Sequence, residues 1–220
     1  MKKKMMWAAI VITIAILATL VVRFQPLSPN ITVKASPIRV ACVGDSITAI
    51  TGYPSDLQSL LGPGYLVGNF GVNGSTVMLN SWKPYMYQSE FQKALDFKPG
   101  IVIIMLGTND DLEMLRPSNA SFEEDYAKLI SAFQQLGSKP QIWIVTPPPI
   151  FSNSSDLSVP YFSGVIIPKI EELANKMNLP IIDVYNAFGT HSDYFVDGVH
   201  PNSEGAALIA SEVSKAIIQK

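Results

Sequence analysis

Short apolar runs alternate with amphipathic stretches from residue 37 to the end of the chain. The runs are Ile38–Val43, Tyr65–Phe70, Ile101–Leu106, Ile142–Val145 and Pro180–Asp183. Their apolar positions are continuous rather than alternating, as in strands covered on both faces. Between them, Pro54–Leu61, Ser89–Phe97, Ser121–Leu136, Gly164–Met177 and Ser203–Ile218 carry apolar residues at helical spacing. In the last of these, Ala206, Ile209, Val213, Ala216 and Ile217 share one face. Ser121, with Glu124 following in the same turn, predicts a capping box for the third helix. The alternation predicts an α/β fold, with a parallel sheet between two layers of helices. Ligands then bind beyond the carboxyl ends of the strands.

Two segments precede this pattern. Met5–Val22 is an apolar run of 18 residues relieved only by Thr13 and Thr19. As a helix it spans about 27 Å, close to the thickness of a bilayer core. Lys2, Lys3 and Lys4 precede it and Arg23 alone follows, an asymmetry that holds the N-terminus in the cytoplasm and exports the rest. Residues 1–23 therefore predict a transmembrane signal anchor with an extracytoplasmic domain. A cleaved signal peptide and a secreted domain are the competing reading. Against it, Val21-Val22-Arg23-Phe24 lacks the small-x-small pattern a peptidase needs. Residues 24–36 contain Pro26 and Pro29 without periodicity and read as a linker, leaving 37–220 as the folded domain.

Composition sharpens this picture in two ways. With Lys2, Lys3, Lys4 and Arg23 set aside, 12 basic residues face 18 acidic ones in the rest of the chain. An acidic body without clustered Lys and Arg argues against a nucleic-acid partner. The single cysteine, Cys42, excludes an internal disulfide and, inside the first run, predicts an inert buried thiol.

The chemistry is concentrated where the runs stop. The first ends in Gly44-Asp45-Ser46, the second in Gly71-Val72-Asn73-Gly74-Ser75, and the third in Gly107-Thr108-Asn109-Asp110. Asp197 and His200 follow the last run. In a parallel sheet these clusters collect along one edge. Together they supply what acyl transfer requires: a nucleophile, a base, an acid to orient it, and oxyanion donors. A serine such as Ser46 is a weak nucleophile until a base takes its proton. Histidine, with a reference pKa of about 6.5, suits that task near neutrality. Asp197 is placed to fix the tautomer of His200, and Asn109 offers a neutral donor to a developing oxyanion. Pro201 biases His200 away from helical angles, so the last helix starts after it.

Several of these residues have a second reading. Ser46 is also suited to capping a helix, and Asp45 reads as a structural hydrogen-bonding group. His191 with Asp193 nearby is the rival base. Asp110 and Asp111 lack the accompanying His and Glu of a metal site. Trp82, Tyr85, Met86 and Tyr87, and the segment Pro147–Phe151, begin at the same edge and either wall a pocket or join the core.

In Gly44-Asp45-Ser46, Gly74, Gly107-x-Asn109-Asp110 and Asp197-x-x-His200, the sequence resembles the four signature blocks of the GDSL or SGNH hydrolases. The resemblance implies a three-layer, flavodoxin-like fold with a five-stranded parallel sheet. It implies Ser46 as nucleophile, His200 as base and Asp197 as its orienting acid. The oxyanion hole would comprise the amides of Ser46 and Gly74 and the side chain of Asn109. No metal or cofactor is implied. The expected activity is serine ester hydrolysis through an acyl-enzyme, deacetylating carbohydrate or other small acyl esters outside the cytoplasm. A lysophospholipase or thioesterase is the neighbouring expectation. A catalytically silent, tethered glycan-binding domain is the alternative of another class; it predicts a broken block, and all blocks are intact.

Overall fold

Each apolar run becomes a strand. They are β1 (Ile38–Gly44), β2 (Tyr65–Gly71), β3 (Ile101–Met105), β4 (Gln141–Val145) and β5 (Ile181–Ile182). The structure is a computed structural model and describes residues 36–112, 114–115, 121–151 and 157–219. The strands form one five-stranded sheet in the order β2-β1-β3-β4-β5, every pair parallel. Parallel neighbours need crossovers, and helices provide them. α1 (Ser46–Ile50) and α2 (Tyr53–Leu61) join β1 to β2, and α3 (Ser89–Asp96) leads to β3. α4 (Phe122–Gln134) leads to β4. A helical turn at Val159–Tyr161 and a π-helical stretch at Phe162–Ile166 run into α5 (Ile167–Lys176) before β5. α6 (Val184–Phe188) and α7 (Ser203–Ile218) follow.

The continuous apolar character of β1 has a direct cause. Ala41 and Val43 face a cluster with Ala94 of α3, Phe122 and Tyr126 of α4, and Ile170 of α5. Val40 and Cys42 face the opposite cluster, with Tyr53 and Leu57 of α2 and Ile209 and Val213 of α7. Both faces are covered, so the three-layer α/β arrangement expected from the pattern is present. Burial pushes the Cys42 thiol up to about 12, as suits an inert core residue.

Some elements differ from the sequence expectation. β2 reads as a buried run but is an edge strand, with Leu66 45% exposed. β5 is shorter than the run that predicts it. Pro180 has no amide to donate, although its carbonyl still accepts from the Ile144 amide at 3.0 Å. The capping box does not form. Ser121 has φ −89° and ψ −5°, already helical, so its hydroxyl does not cap the first turn, and Glu124 instead pairs with Lys128 at 2.9 Å. α7 begins at Ser203, just after Pro201 as expected, with the Asn202 side chain accepting from the Gly205 amide at 3.1 Å. The apolar run Met5–Val22 and most of the linker lie outside the described residues. Among the described residues, no helix is long and apolar enough to cross a membrane.

The strand order fixes where a site belongs. Connections leave β1 and β3 in opposite directions, which opens a crevice at their carboxyl ends.

Candidate active site

β1 ends at Gly44, in register with Gly71 of β2 and Met105 of β3. α1 lies directly across these strand ends. A Cβ on Gly44 would meet the Met105 carbonyl oxygen at 2.7 Å, and one on Gly71 would meet Ala49 Cα at 2.7 Å. Only glycine admits so close an approach of backbone to backbone. Ser46 is the first residue of α1, so its amide has no intrahelical partner. Asp45, 1% exposed, caps the helix, its carboxylate accepting from the Ile47 amide at 2.9 Å. Burial pushes its pKa up to about 6, against the opposing pull of the Ile47 amide and His200. Asp45 is thus a structural hydrogen-bonding group, as the sequence suggests.

The other half of the site comes from the loop between α6 and α7. Ser46 Oγ lies 2.9 Å from His200 Nε2. His200 Nδ1 lies 2.7 Å from Asp197 Oδ2. The second carboxylate oxygen of Asp197 accepts from the amides of Val199 at 2.9 Å and His200 at 2.7 Å. Partial burial opposes charge on Asp197, but these amides and the His200 ring outweigh it and hold its pKa down at about 2. Asp197 is therefore ionised at neutral pH.

The loop is fastened on several sides. Gly198 accepts from the Phe151 amide at 2.7 Å, and His200 accepts from the Val196 amide at 2.9 Å. Phe195 bridges to Pro201 and packs on Phe188 and Phe151, with ring centroids 5.0 and 5.1 Å apart. The rival His191 instead faces Asp193 at 3.4 Å and stacks on Tyr194.

The third part comes from the turns after β2 and β3. Asn109 sits in the short 3-10 helix Thr108–Asp111, entered through Gly107 at φ 130°. Its Nδ2 donates to the Ser75 carbonyl at 3.0 Å and lies 3.5 Å from Asp45 Oδ2. The second contact is long for a hydrogen bond, so one amide hydrogen remains available. Gly74, at φ 70°, occupies a turn closed by the Ser75 amide donating to the Val72 carbonyl at 3.1 Å. Among the described residues, the amides of Ser46 and Gly74 meet no protein acceptor. A hydroxyl with a paired base, two free amides and a carboxamide thus converge from sequence positions far apart.

Sequence reasoning missed what holds this arrangement. Asp110, fully buried, accepts from the amides of Val77 at 2.9 Å and Met78 at 3.0 Å. Burial pushes its carboxyl up to about 7. Asp111 accepts from the Ser158 amide at 2.7 Å, and Asp125 from the Leu79 amide at 3.0 Å. These acids fasten loops. Asp110 and Asp111 at the end of the third cluster are the nearest signal of it in the sequence, and Asp125, inside α4, carries none. Of the aromatic candidates for a pocket wall, Tyr85 is core, its hydroxyl donating to the Phe70 carbonyl at 2.7 Å. Met86 packs against the same core, while Trp82 and Tyr87 remain exposed. An open recess of about 680 Å³ lies at the opposite edge, lined by Arg39, Leu95, Lys98 and Leu136, and shares no residue with this crevice.

Residues 42–208 match the family model for the GDSL-like Lipase/Acylhydrolase family. An acetylxylan esterase from Xylanibacter ruminicola is 36% identical over 210 residues, covering 84% of this chain; the chain spans 44% of that relative's length. A carbohydrate acetylesterase family member from Sinorhizobium meliloti superposes with a TM-score of 0.64 at 19% identity, covering 83% of this chain and 98% of that one. An inhibitor-bound aryl esterase from M. smegmatis gives 0.67 at 17% identity, with 83% and 99% covered. At such identities the structures speak for the fold, and the family match spans every cluster of the crevice. The chain belongs to the GDSL-like Lipase/Acylhydrolase family.

Proposed function

We propose that the protein is a serine acylhydrolase that removes acetyl groups from carbohydrate, or other small acyl groups, outside the cytoplasm. The observation that carries the catalytic reading is the unbroken chain from Ser46 Oγ through the His200 ring to Asp197. In this reading Ser46 Oγ attacks the ester carbonyl while His200 Nε2 takes its proton. Asp197, ionised and bonded to Nδ1, orients the ring and stabilises the imidazolium. The carbonyl oxygen, now negative, receives the amides of Ser46 and Gly74 and the side chain of Asn109. Collapse breaks the bond to the alcohol, which leaves with the proton from His200. Water, deprotonated by His200, then attacks the acyl-serine, releasing the acid and restoring Ser46.

Support for acetylated carbohydrate comes from the names of the related proteins, an acetylxylan esterase and a carbohydrate acetylesterase family member. Support for the location comes from Met5–Val22 with Lys2, Lys3 and Lys4 before it, read as a membrane anchor at residues 1–23. A longer acyl chain, as in a lysophospholipase or thioesterase, is the second reading. It is favoured by the exposed apolar side chains Ile50, Phe151 and Val196, all on segments that carry or touch the triad.

A fluorophosphonate probe tests the nucleophile. The protein is expected to label, and Ser46→Ala to abolish labelling; labelling that survives in Ser46→Ala overturns the assignment. Acetate released from acetylated xylo-oligosaccharides, compared with fatty acid released from long-chain esters, separates the two substrate readings.

A further inference from the structure

The two tryptophans of the domain have opposite environments. Trp143 is 7% exposed in the middle of β4, whereas Trp82 is 58% exposed on the connection after β2. An aromatic ring left largely in water contributes little to folding, and a single exposed apolar residue on a loop needs no explanation by itself. Three features set Trp82 apart.

The first is position. A Cβ on Gly74 would meet Trp82 Cη2 at 2.9 Å and Cζ2 at 3.3 Å, so the benzene edge of the indole lies directly against Gly74. Gly74 is also where the chain presents its amide to the crevice. The second is rigidity. The connection is tied across by Thr76 donating its amide to the Lys83 carbonyl at 3.1 Å and by Tyr85 donating its amide to the Thr76 carbonyl at 2.9 Å. The Thr76 and Ser81 hydroxyls are bonded to each other, and the Lys83 amide donates to Ser81 Oγ at 3.3 Å. Asp110 and Asp125 hold Val77, Met78 and Leu79 from below. The backbone that carries the ring is therefore held before any ligand arrives, which lowers the entropic cost of binding. The third is company. Asn73 and Asn80 are exposed on the same connection, and Lys83 Nζ lies over one face of the Trp82 ring, 5.9 Å from its centroid. A flat apolar face with polar groups around it matches a sugar ring, which has C–H faces and a hydroxyl edge. A purely aliphatic chain has no use for the polar surround.

We propose that Trp82 is the platform on which the sugar ring of an acetylated saccharide rests while its acetyl carbonyl occupies the hole beside Gly74. Trp82 then determines the preference for saccharide esters over simple ones. This rests on the carbohydrate reading given above.

The test uses the full chain and two acetyl esters, an acetylated xylo-oligosaccharide and methyl acetate, with acetate release measured for both. The quantity read is the ratio of their kcat/KM values. In Trp82→Ala that ratio is expected to fall about tenfold, chiefly through KM for the saccharide. Trp82→Phe, which restores a flat ring, is expected to bring it back to within about threefold of the parent. A ratio that does not move in Trp82→Ala overturns the platform, as does a parallel loss on both esters that Trp82→Phe fails to separate. Ser46→Ala keeps the underlying reading distinct: if it still cleaves methyl acetate, the nucleophile assignment fails. If the parent protein cleaves methyl acetate but no acetylated saccharide, the carbohydrate reading fails and the platform with it.

Discussion

The two halves of the crevice are built differently. The Ser46 half grows out of the sheet: Gly44 and Asp45 are buried, and α1 is pressed against the ends of β1 and β2. The His200 half hangs on a surface loop, with the His200 side chain 32% and the Asp197 side chain 52% exposed. Packing against an incompressible core holds the first. Hydrogen bonds hold the second, Asp197 bonding the backbone and ring of a residue three positions later and the Phe151 amide bonding Gly198, with Phe195 reaching the core. The lesson is that the position of Ser46 is a matter of fold stability, whereas the orientation of His200 is a matter of local electrostatics. The two should therefore respond oppositely to mutation.

The largest effect should come from Asp197→Asn. It leaves the core untouched, so Tm should fall only modestly, by the stabilisation that the ionised Asp197 draws from the Val199 and His200 amides and the His200 ring. Steady-state turnover should fall about 10⁴-fold, because an amide in that place favours the wrong tautomer of His200. A large loss of Tm in this variant would break the comparison.

Gly71→Ala should do the reverse. Its Cβ would meet Thr48 C at 2.8 Å and Ala49 Cα at 2.7 Å, backbone atoms that no rotamer change can move. Denaturant unfolding should show a loss of about 3 kcal/mol, with activity falling because α1 carries Ser46.

Asp45→Asn sharpens the contrast at a smaller scale. Burial holds Asp45 at about 6, above its usual value of 3.8. A carboxyl whose pKa is raised by folding binds its proton better in the native state. Its contribution to stability is therefore greatest below about pH 4 and falls as pH rises through about 6. Removing the charge should flatten that part of the pH–stability curve. At pH 7 the variant should gain at most about 3 kcal/mol, and below pH 4 it should gain nothing. Part of the gain is offset because the new amide nitrogen faces Asn109 across the 3.5 Å that separates Asn109 from Asp45. Unfolding measured at pH 4, 5.5 and 7 checks the trend.

The halves also differ in how readily they could be read from residues alone. The clusters holding Ser46, Gly74 and Asn109 were legible because they end apolar runs that a parallel sheet brings to one edge, whereas Asp197 and His200 stand out only as an acid and a base three residues apart in a loop after α6. Strand faces were legible for β1, β3 and β4, where both sides are covered. The edge status of β2 was not, because Leu66 and Val67 look the same in a central strand as in an outer one. α1 and α6, five residues each, are too short to show a period. Ser121 failed as a cap because capping depends on backbone angles, which residue type only biases. Asp110, Asp111 and Asp125 act over distances in sequence that no local pattern encodes. Tyr85 and Trp82 are chemically alike on paper, and only the path of the connection decides which one enters the core.

The hydrogen bond between Ser46 and His200 joins residues 154 positions apart. It encloses the greater part of the domain in one loop, and α7, which starts just beyond His200, packs on α2 just beyond Ser46. During synthesis Ser46 therefore emerges long before His200. No partly made or partly refolded form that lacks the segment carrying His200 holds this bond. If the proposed roles hold, hydrolysis is confined to molecules in which α7 has docked, and turnover reports on completion of the fold as well as on chemistry.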